Sequence, residues 1–443
     1  MSYQDKYQHY LEQIPALADY SIKENKAPVF AYTSNLDVVL TWDIEKYNEI
    51  LDTYLKEEPC FHDGDAMHSM EDFARISCYY LMRGLGGNFD LTNIEVCNFL
   101  KDKFQFDFYL GGTCAQGAAA IAALGFPVNV HLSDECAEVM DMMDKDGVTV
   151  IRGREKIPVG RGASGKEPVY HFILQFKKDD KLRVMGREVA IPLSNRLILF
   201  YDEIHKIVPI QDDFQQYWKE AEEAPSSWLV SGFDAIVDPE KMRNCIDILE
   251  PHLKYMKEKH PEMVLYFEGA FYMNPEVKEM AAAAFCKYAD IFSMNEEELE
   301  QQVKRFGDEA PGSSATGVFG ALDKIFSHFH PKGLVLHTKD YSMYYGQPIP
   351  GVDIEQGLTM GSLMATTRAR IGKYGNIEEC RETLSLPLSE NGLRFAQEAQ
   401  EWHSDGRIVV VVPTRYLEYP AFTIGLGDTF VSGVHTCFIR RKQ

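Results

Sequence analysis

The sequence predicts an α/β fold, with a doubly wound large domain and a smaller β-rich domain inserted into it. Two observations carry this. In the second half, short apolar runs alternate with helical stretches. In the middle, strand-like runs follow one another with almost no helix between them.

The apolar runs are MVLYFEG (Met263–Gly269), DIFSM (Asp290–Met294), GLVLHT (Gly333–Thr338) and RIVVVVPT (Arg407–Thr414). They are short and rich in Val, Ile and Leu, as strands buried on both faces of a parallel sheet are. Between them PEKMRNCIDILEPHLKYMKEKH, PEVKEMAAAAFCKYA, EEELEQQVKRFG and NGLRFAQEAQEWHS read as helices. Helices alternating with buried strands predict a doubly wound sheet. The stretch APGSSATGVFG (Ala310–Gly320) reads as a flexible connector.

The middle of the chain, Tyr170–Glu203, reads as successive strands joined by polar turns such as KKDDK. The Gly-, Pro- and charge-rich RGREKIPVGRGASGKEP before it reads as an exposed loop. Near the start, PVFAYTSNLDVVLTWDI is a strand that runs on into a second one. The large domain is therefore assigned to residues 1–34, 109–160 and 222–443, and the small one to 35–108 and 161–221.

Composition narrows the function classes. Lys and Arg number 45 against 67 Asp and Glu, a net charge of −22. Phosphate backbones need a basic surface, so no nucleic-acid partner is expected. The nine cysteines contain no CxxC pair, which suggests reduced, packed thiols and no structural zinc. The two histidines of SHFHP (Ser327–Pro331) have no matching ligand cluster nearby. The first residues are polar, and no apolar run approaches the ~20 residues of a membrane span. The expectation is a cytoplasmic enzyme, a monomer or small homo-oligomer, with no membrane partner.

Four motifs carry chemistry. In TIGLGDTFVSG (Thr423–Gly433), glycines permit close backbone approach. A helix beginning near Asp428 would aim free N–H groups at an anion, with a carboxylate at the edge. This suits phosphoryl transfer, and it also suits a plain glycine turn with an Asp cap. In SMNEEELE (Ser293–Glu300), Asn295 and Glu298 share one helical face, either as a capping pair or beside Mg²⁺. In AYTSNLDVVL (Ala31–Leu40), Asn35 and Asp37 share a strand face and can bind sugar hydroxyls or form an Asx turn. Gly111 and Gly112 precede an Ala-rich helix, leaving room for a ligand or for tight packing. There is no GxxxxGK[ST] loop, so a P-loop kinase is excluded.

In order and content these motifs resemble the ADP-dependent glucokinase and phosphofructokinase family, within the ribokinase-like superfamily, over nearly the whole chain. The matching stretches are YTSNLD, GGTCAQGA, SNRLILFYDE, LVSGFDAI, YFEGAF, SMNEEE, VLHTKDY and VVPTRYLEYPAFTIGLGDTF. The last is the most specific. In ordinary ribokinases further helices follow the GxGD turn, whereas in the ADP-dependent branch it opens the last helix; here ten residues follow Gly433.

The resemblance implies roles. Asp428 would be the catalytic base, with Gly425, Leu426 and Gly427 forming the anion hole. Glu268 and Glu298 would organise Mg²⁺. Asn35, Asp37, Gly111 and Gly112 would contact the acceptor sugar, and Arg196 resembles a phosphate-contacting arginine. His337, Thr338, Tyr341, Val412 and Pro413 would lie near the nucleotide. Two departures stand out. The family's His-x-Glu reads Tyr266-Phe267-Glu268, and Asn88 stands where glucose-using members often carry a lid Glu. The implied enzyme is a Mg²⁺-dependent ADP:sugar kinase of carbohydrate metabolism, a step of glycolysis, whose β-rich domain is a lid. Its acceptor is a sugar or sugar phosphate; Asn88, Arg196 and the basic Arg161 and Lys166 tilt the choice toward fructose 6-phosphate over glucose. The alternatives are an ATP-dependent ribokinase-type carbohydrate or nucleoside kinase and a catalytically silent sugar-binding homologue.

Overall fold

The structure, a computed structural model, describes all residues except 63, 144–145, 167, 403–405 and 440–443. The chain divides into two compact units. The larger comprises Met1–Ser34, Gly112–Gly165 and His205–Gln443; the smaller comprises Asn35–Gly111 and Lys166–Ile204.

The larger unit is built on a ten-stranded sheet. From one edge its strands run Ile408–Pro413, Tyr341–Gly346, Gly333–His337, Ile291–Asn295, Val264–Glu268, Ser227–Val230, Val29–Ala31, Val128–Val130, Val148–Arg152 and Glu155–Pro158. The central strands pair in parallel, and Tyr341–Gly346 and Glu155–Pro158 run antiparallel to their neighbours. The four apolar runs read from sequence are all strands here. Tyr341–Gly346 is a further strand that those runs did not include, and it is fully buried.

Helices cover this sheet, and their starts follow local chemistry. Pro239–Lys259 and Pro275–Phe285 both place proline in the first turn behind an Asp or Asn cap, where the missing N–H costs nothing. Leu249, Leu253 and Met256 of the former and Val277, Ala281 and Phe285 of the latter are buried in the sheet's main core. The connector expected at Ala310–Gly320 gives way to a helix, Ala315–Phe329, because Ser314 caps it through the Gly317 amide at 3.2 Å. The loop expected from Arg152 turns out to be a tight hairpin, Val148–Arg152 with Glu155–Pro158. Gly153 and Arg154 both take positive φ at its tip.

The smaller unit holds a five-stranded sheet in the order Gly87–Asp90, Asn195–Tyr201, Tyr170–Phe176, Asn35–Leu40 and Phe106–Gly111. A separate hairpin pairs Lys181–Val184 with Arg187–Ala190. Alternation assigns the two sheet faces. Leu36, Val38 and Leu40, with Phe172, Leu174, Leu197 and Leu199, are buried. Trp42, Phe73, Tyr80 and Phe89 pack in this unit's aromatic core. The opposite face mixes the polar Asn35, Asp37, His171 and Asn88 with apolar residues such as Ile173 and Ile198.

The unit boundaries differ from those read off the sequence. Residues 109–111 complete the strand paired with Asn35–Leu40 and so belong to the smaller unit. Residues 161–165 and 205–221 belong to the larger one. The Asp212–Glu220 helix buries Phe214 and Trp218 against Trp228, and this aromatic burial overrides its position next to the strand-rich segment.

Candidate active site

The Leu426–Val434 helix begins at Gly425, which has φ 66° and ψ 25° and makes no side-chain cap. The position needs glycine twice over. The backbone is left-handed, and a Cβ would meet Gln116 Oε1 at 1.9 Å. With no side chain capping the first turn, its amides keep an open anion-binding end. Asp428 is therefore not the cap. It sits at the third helical position, and its carboxylate turns to another helix, Thr113–Ala123, where Gln116 Nε2 donates to Oδ2 at 2.8 Å. Burial pushes the Asp428 carboxyl above the usual carboxylate range. A Thr113 hydrogen bond and the Arg368 charge oppose the rise, Glu268 adds to it, and His337 opposes it.

Three neighbouring strands deliver further polar groups at their carboxyl ends. Glu268 ends Val264–Glu268, Asn295 ends Ile291–Asn295, and His337 ends Gly333–His337; Asn295 and His337 are direct register partners. The helix following Asn295 starts with a full capping box: Asn295 Oδ1 accepts from the Glu298 amide at 2.9 Å, and Glu298 Oε2 accepts from the Asn295 amide at 3.0 Å. Asn295 Nδ2 also donates to Glu298 Oε1 at 2.9 Å. The capping reading of this motif is thus correct, yet Glu298 is also buried, and burial and then Glu268 push its carboxyl up to about 7.

Glu268 Oε1 lies 3.1 Å from His337 Nε2, while Oε2 is buried with no partner among the described residues. Burial alone would lower the His337 value; the Glu268 bond and the charges of Glu268, Glu298 and Glu296 outweigh it and raise the value. Tyr266, where the resemblance implies a histidine, is core: its ring packs on His435 and Phe438. The imidazole beside Glu268 comes instead from His337, two strands away. A buried, unpaired carboxylate oxygen with a second carboxyl nearby is a donor set that suits a hard divalent cation.

A cleft of about 700 Å³ opens at these strand ends. Its walls include Asn295, Glu296, His337, Thr338 and Lys339, the loop Thr414–Leu417, and Leu426, Gly427 and Phe430. Of the five residues placed near the nucleotide from sequence, His337 and Thr338 line it. Tyr341, Val412 and Pro413 do not. Tyr341 stacks on Phe395 at 3.8 Å, its carbonyl accepting from the Thr338 amide and hydroxyl, and Val412 and Pro413 are buried strand positions. They support the wall, and the chain reaches the cleft only after the strand ends, at Thr414.

In the smaller unit, Asn35, Asp37 and Gly111 come together on the mixed face. Asn35 pairs with Gly111, whose hydrogen side would leave a Cβ 2.0 Å from Asn35 Nδ2, and Asn35 Nδ2 donates to Asp37 Oδ1 at 2.7 Å. His171 lies in register with Asp37, and its Nε2 is 2.8 Å from Asp202 Oδ2. Asn88 and Arg196 lie on the same face but farther off. Three strand spacings, roughly 14 Å, separate the Asn88 strand from that of Asp37. Arg196 is displaced from Asp37 by two strands and four residues of register, roughly 16 Å. Arg196 is exposed and makes no ion pair among the described residues. Gly112 belongs to the larger unit, where its φ of 82° starts the Gln116 helix and a Cβ would strike the Thr33 carbonyl oxygen at 2.6 Å.

Gln116, His171 and Asp202 escaped the sequence reading. Gln116 alone left a signal, as the one large polar residue in TCAQGAAAIAA.

With this geometry in place, comparison with known proteins is decisive. The ADP-specific Phosphofructokinase/Glucokinase conserved region matches residues 26–435. The chain belongs to this family. Members of the family are phosphotransferases that act on a hydroxyl group. An ADP-specific phosphofructokinase of Pyrococcus abyssi is 21% identical, covering 95% of this chain and 98% of its own. An ADP-dependent glucose/glucosamine kinase of the same organism is 22% identical, covering 97% and 96%. Among solved structures, a hypothetical ADP-dependent phosphofructokinase from Pyrococcus horikoshii superposes with a TM-score of 0.80 at 18% identity, over 94% of this chain and 98% of its own. An ADP-dependent kinase in complex with fructose-6-phosphate and ADPβS gives 0.76 at 15% identity, over 99% of each. The fold of the family is thus present throughout. Among the described residues, no helix is long and apolar enough to cross a membrane.

Proposed function

We propose that the chain transfers the terminal phosphoryl group of ADP to a hydroxyl of a sugar or sugar phosphate and releases AMP. The observation that carries this is Asp428, a half-buried carboxylate in the first turn of a glycine-started, uncapped helix that borders the cleft. The carboxylate takes the proton of the acceptor hydroxyl as that oxygen bonds to phosphorus. The bond from phosphorus to the bridging oxygen breaks, and AMP carries that oxygen away. The Leu426–Asp428 amides meet the charge on the transferring group. Residues that would hold Mg²⁺ are Glu268, through its unpaired oxygen, and Glu298; the ion would neutralise phosphate charge. The cleft supplies Lys339 as a cation.

For the acceptor, we favour fructose 6-phosphate over glucose. The sheet face of the smaller unit that carries Asn35 and Asp37 also carries, farther along, a neutral Asn88 and an Arg196 that makes no ion pair among the described residues. The test is a donor-by-acceptor matrix: Mg·ADP and Mg·ATP against hexoses, hexose phosphates and nucleosides. Turnover with ADP and fructose 6-phosphate, forming AMP, is the expected outcome. Turnover with ATP alone would overturn the donor, and robust glucose activity with none on hexose phosphates would overturn the acceptor. Binding with no turnover in any cell would make the chain a silent homologue.

A further inference from the structure

Arg368, near the end of the Ile354–Ile371 helix, is 2% exposed. No carboxylate lies within ion-pair distance of it among the described residues, and its buried Nε has no partner. Burying an unpaired guanidinium is costly unless something compensates. Two aromatic faces do so in part: its Cζ lies 4.2 Å from the Tyr374 ring centre and 5.3 Å from that of Phe422, within cation–π range. The remaining contact is specific. Arg368 Nη1 donates to Thr429 Oγ1 at 3.2 Å, and Thr429 Oγ1 donates to the Gly425 carbonyl at 2.9 Å. The cage points to the same place, since Tyr374 Oη donates to Gln116 Oε1 at 3.5 Å and Gln116 holds Asp428.

Two separate routes therefore run from one buried cation to the glycine turn and its carboxylate. A cation stationed only to complement the negative end of its own helix would need neither. We propose that Arg368 is a positioning residue for phosphoryl transfer: caged by Tyr374 and Phe422 and tied through Thr429 to Gly425, it holds the turn and sets a positive charge behind Asp428. The proposal rests on the reading of Asp428 as the base. Of the other charged groups that act on that carboxylate, Glu268 raises it and His337 opposes the rise, so Arg368 and His337 together work against the negative charge of Glu268.

The test uses the full chain and three variants, Arg368→Ala, Arg368→Lys and Asp428→Asn, with kcat, KM for each substrate and melting temperature measured for all. Arg368→Ala should lower kcat roughly 10–100-fold with KM for ADP within about threefold of wild type. Millimolar guanidinium or ethylguanidinium chloride, re-entering the aromatic cage, should restore part of the lost rate, while sodium chloride should not. Arg368→Lys should fall between. The inference is overturned if Arg368→Ala keeps wild-type kcat, if only KM changes, or if kcat and melting temperature fall together with no guanidinium rescue and no recovery in Arg368→Lys. The control separates the two ideas. An active Asp428→Asn removes the base and this inference with it. An inactive Asp428→Asn beside an unaffected Arg368→Ala removes only the role of Arg368.

Discussion

Gln116 Nε2 donates to Asp428 Oδ2 at 2.8 Å, so helices that start at Thr113 and at Leu426 meet at a single carboxylate. The amide fixes the direction of the carboxylate and leaves its other oxygen free of that bond. A hydrogen bond to a charged group is worth about 1.5–3 kcal/mol. If it is held through the chemical step, Gln116→Leu should lower kcat roughly 10–100-fold with ADP affinity retained. Steady-state kinetics beside calorimetry of ADP binding checks this; an unchanged kcat would leave the contact as packing.

Asp428→Asn should cost about 10²–10⁴-fold in turnover, the usual loss of a general base. Gly425, not Asp428, holds the cap position, and the amide oxygen of Asn can still accept from Gln116. Melting temperature should therefore move little and ADP should bind at least as tightly. Wild-type turnover in this variant would sink the assignment.

Gly425→Ala should disturb the site through the backbone. A left-handed φ costs an L-residue roughly 1–2 kcal/mol, and the added methyl would overlap Gln116 Oε1. Gln116 must then swing away from Asp428. Both thermal stability and kcat should fall. A variant with wild-type stability and activity would show that the turn accommodates a side chain and is not held by that contact.

Glu298→Gln should raise the Mg²⁺ concentration needed for half-maximal rate. Glutamine still serves a capping box, so the Glu296–Arg305 helix should persist by circular dichroism. An Mg²⁺ titration curve that overlays the wild type would return NEEE to the status of a capped helix and nothing more.

The sequence-level reading and the structure part company in instructive places. Val264–Glu268, Ile291–Asn295 and Gly333–His337 were visible because burial on both faces demands short runs of apolar residues. Tyr341–Gly346 was not, because YSMYYG buries its polar atoms by pairing them: Tyr345 Oη donates to Asp323 and Ser342 contacts Ser362. The resemblance implies that Val412 and Pro413 lie near the nucleotide; in the structure they are buried strand positions, and the cleft lining begins at Thr414, where the strand has ended.

What the chain's order of residues determined alone is local and periodic: alternating strands and helices, the strand-rich middle, and a glycine turn with an acid. The Asn295–Glu298 cap also belongs here, because its partners are three residues apart and meet in any helix. What only the tertiary structure decided is every pairing across the chain. Glu268 meets a histidine 69 residues away, Gln116 meets Asp428 at a separation of 312, and Arg368 reaches Thr429. Parallel strand order and helix packing bring these groups together, and a side chain's spacing along the sequence holds no record of which distant neighbour the sheet will place beside it.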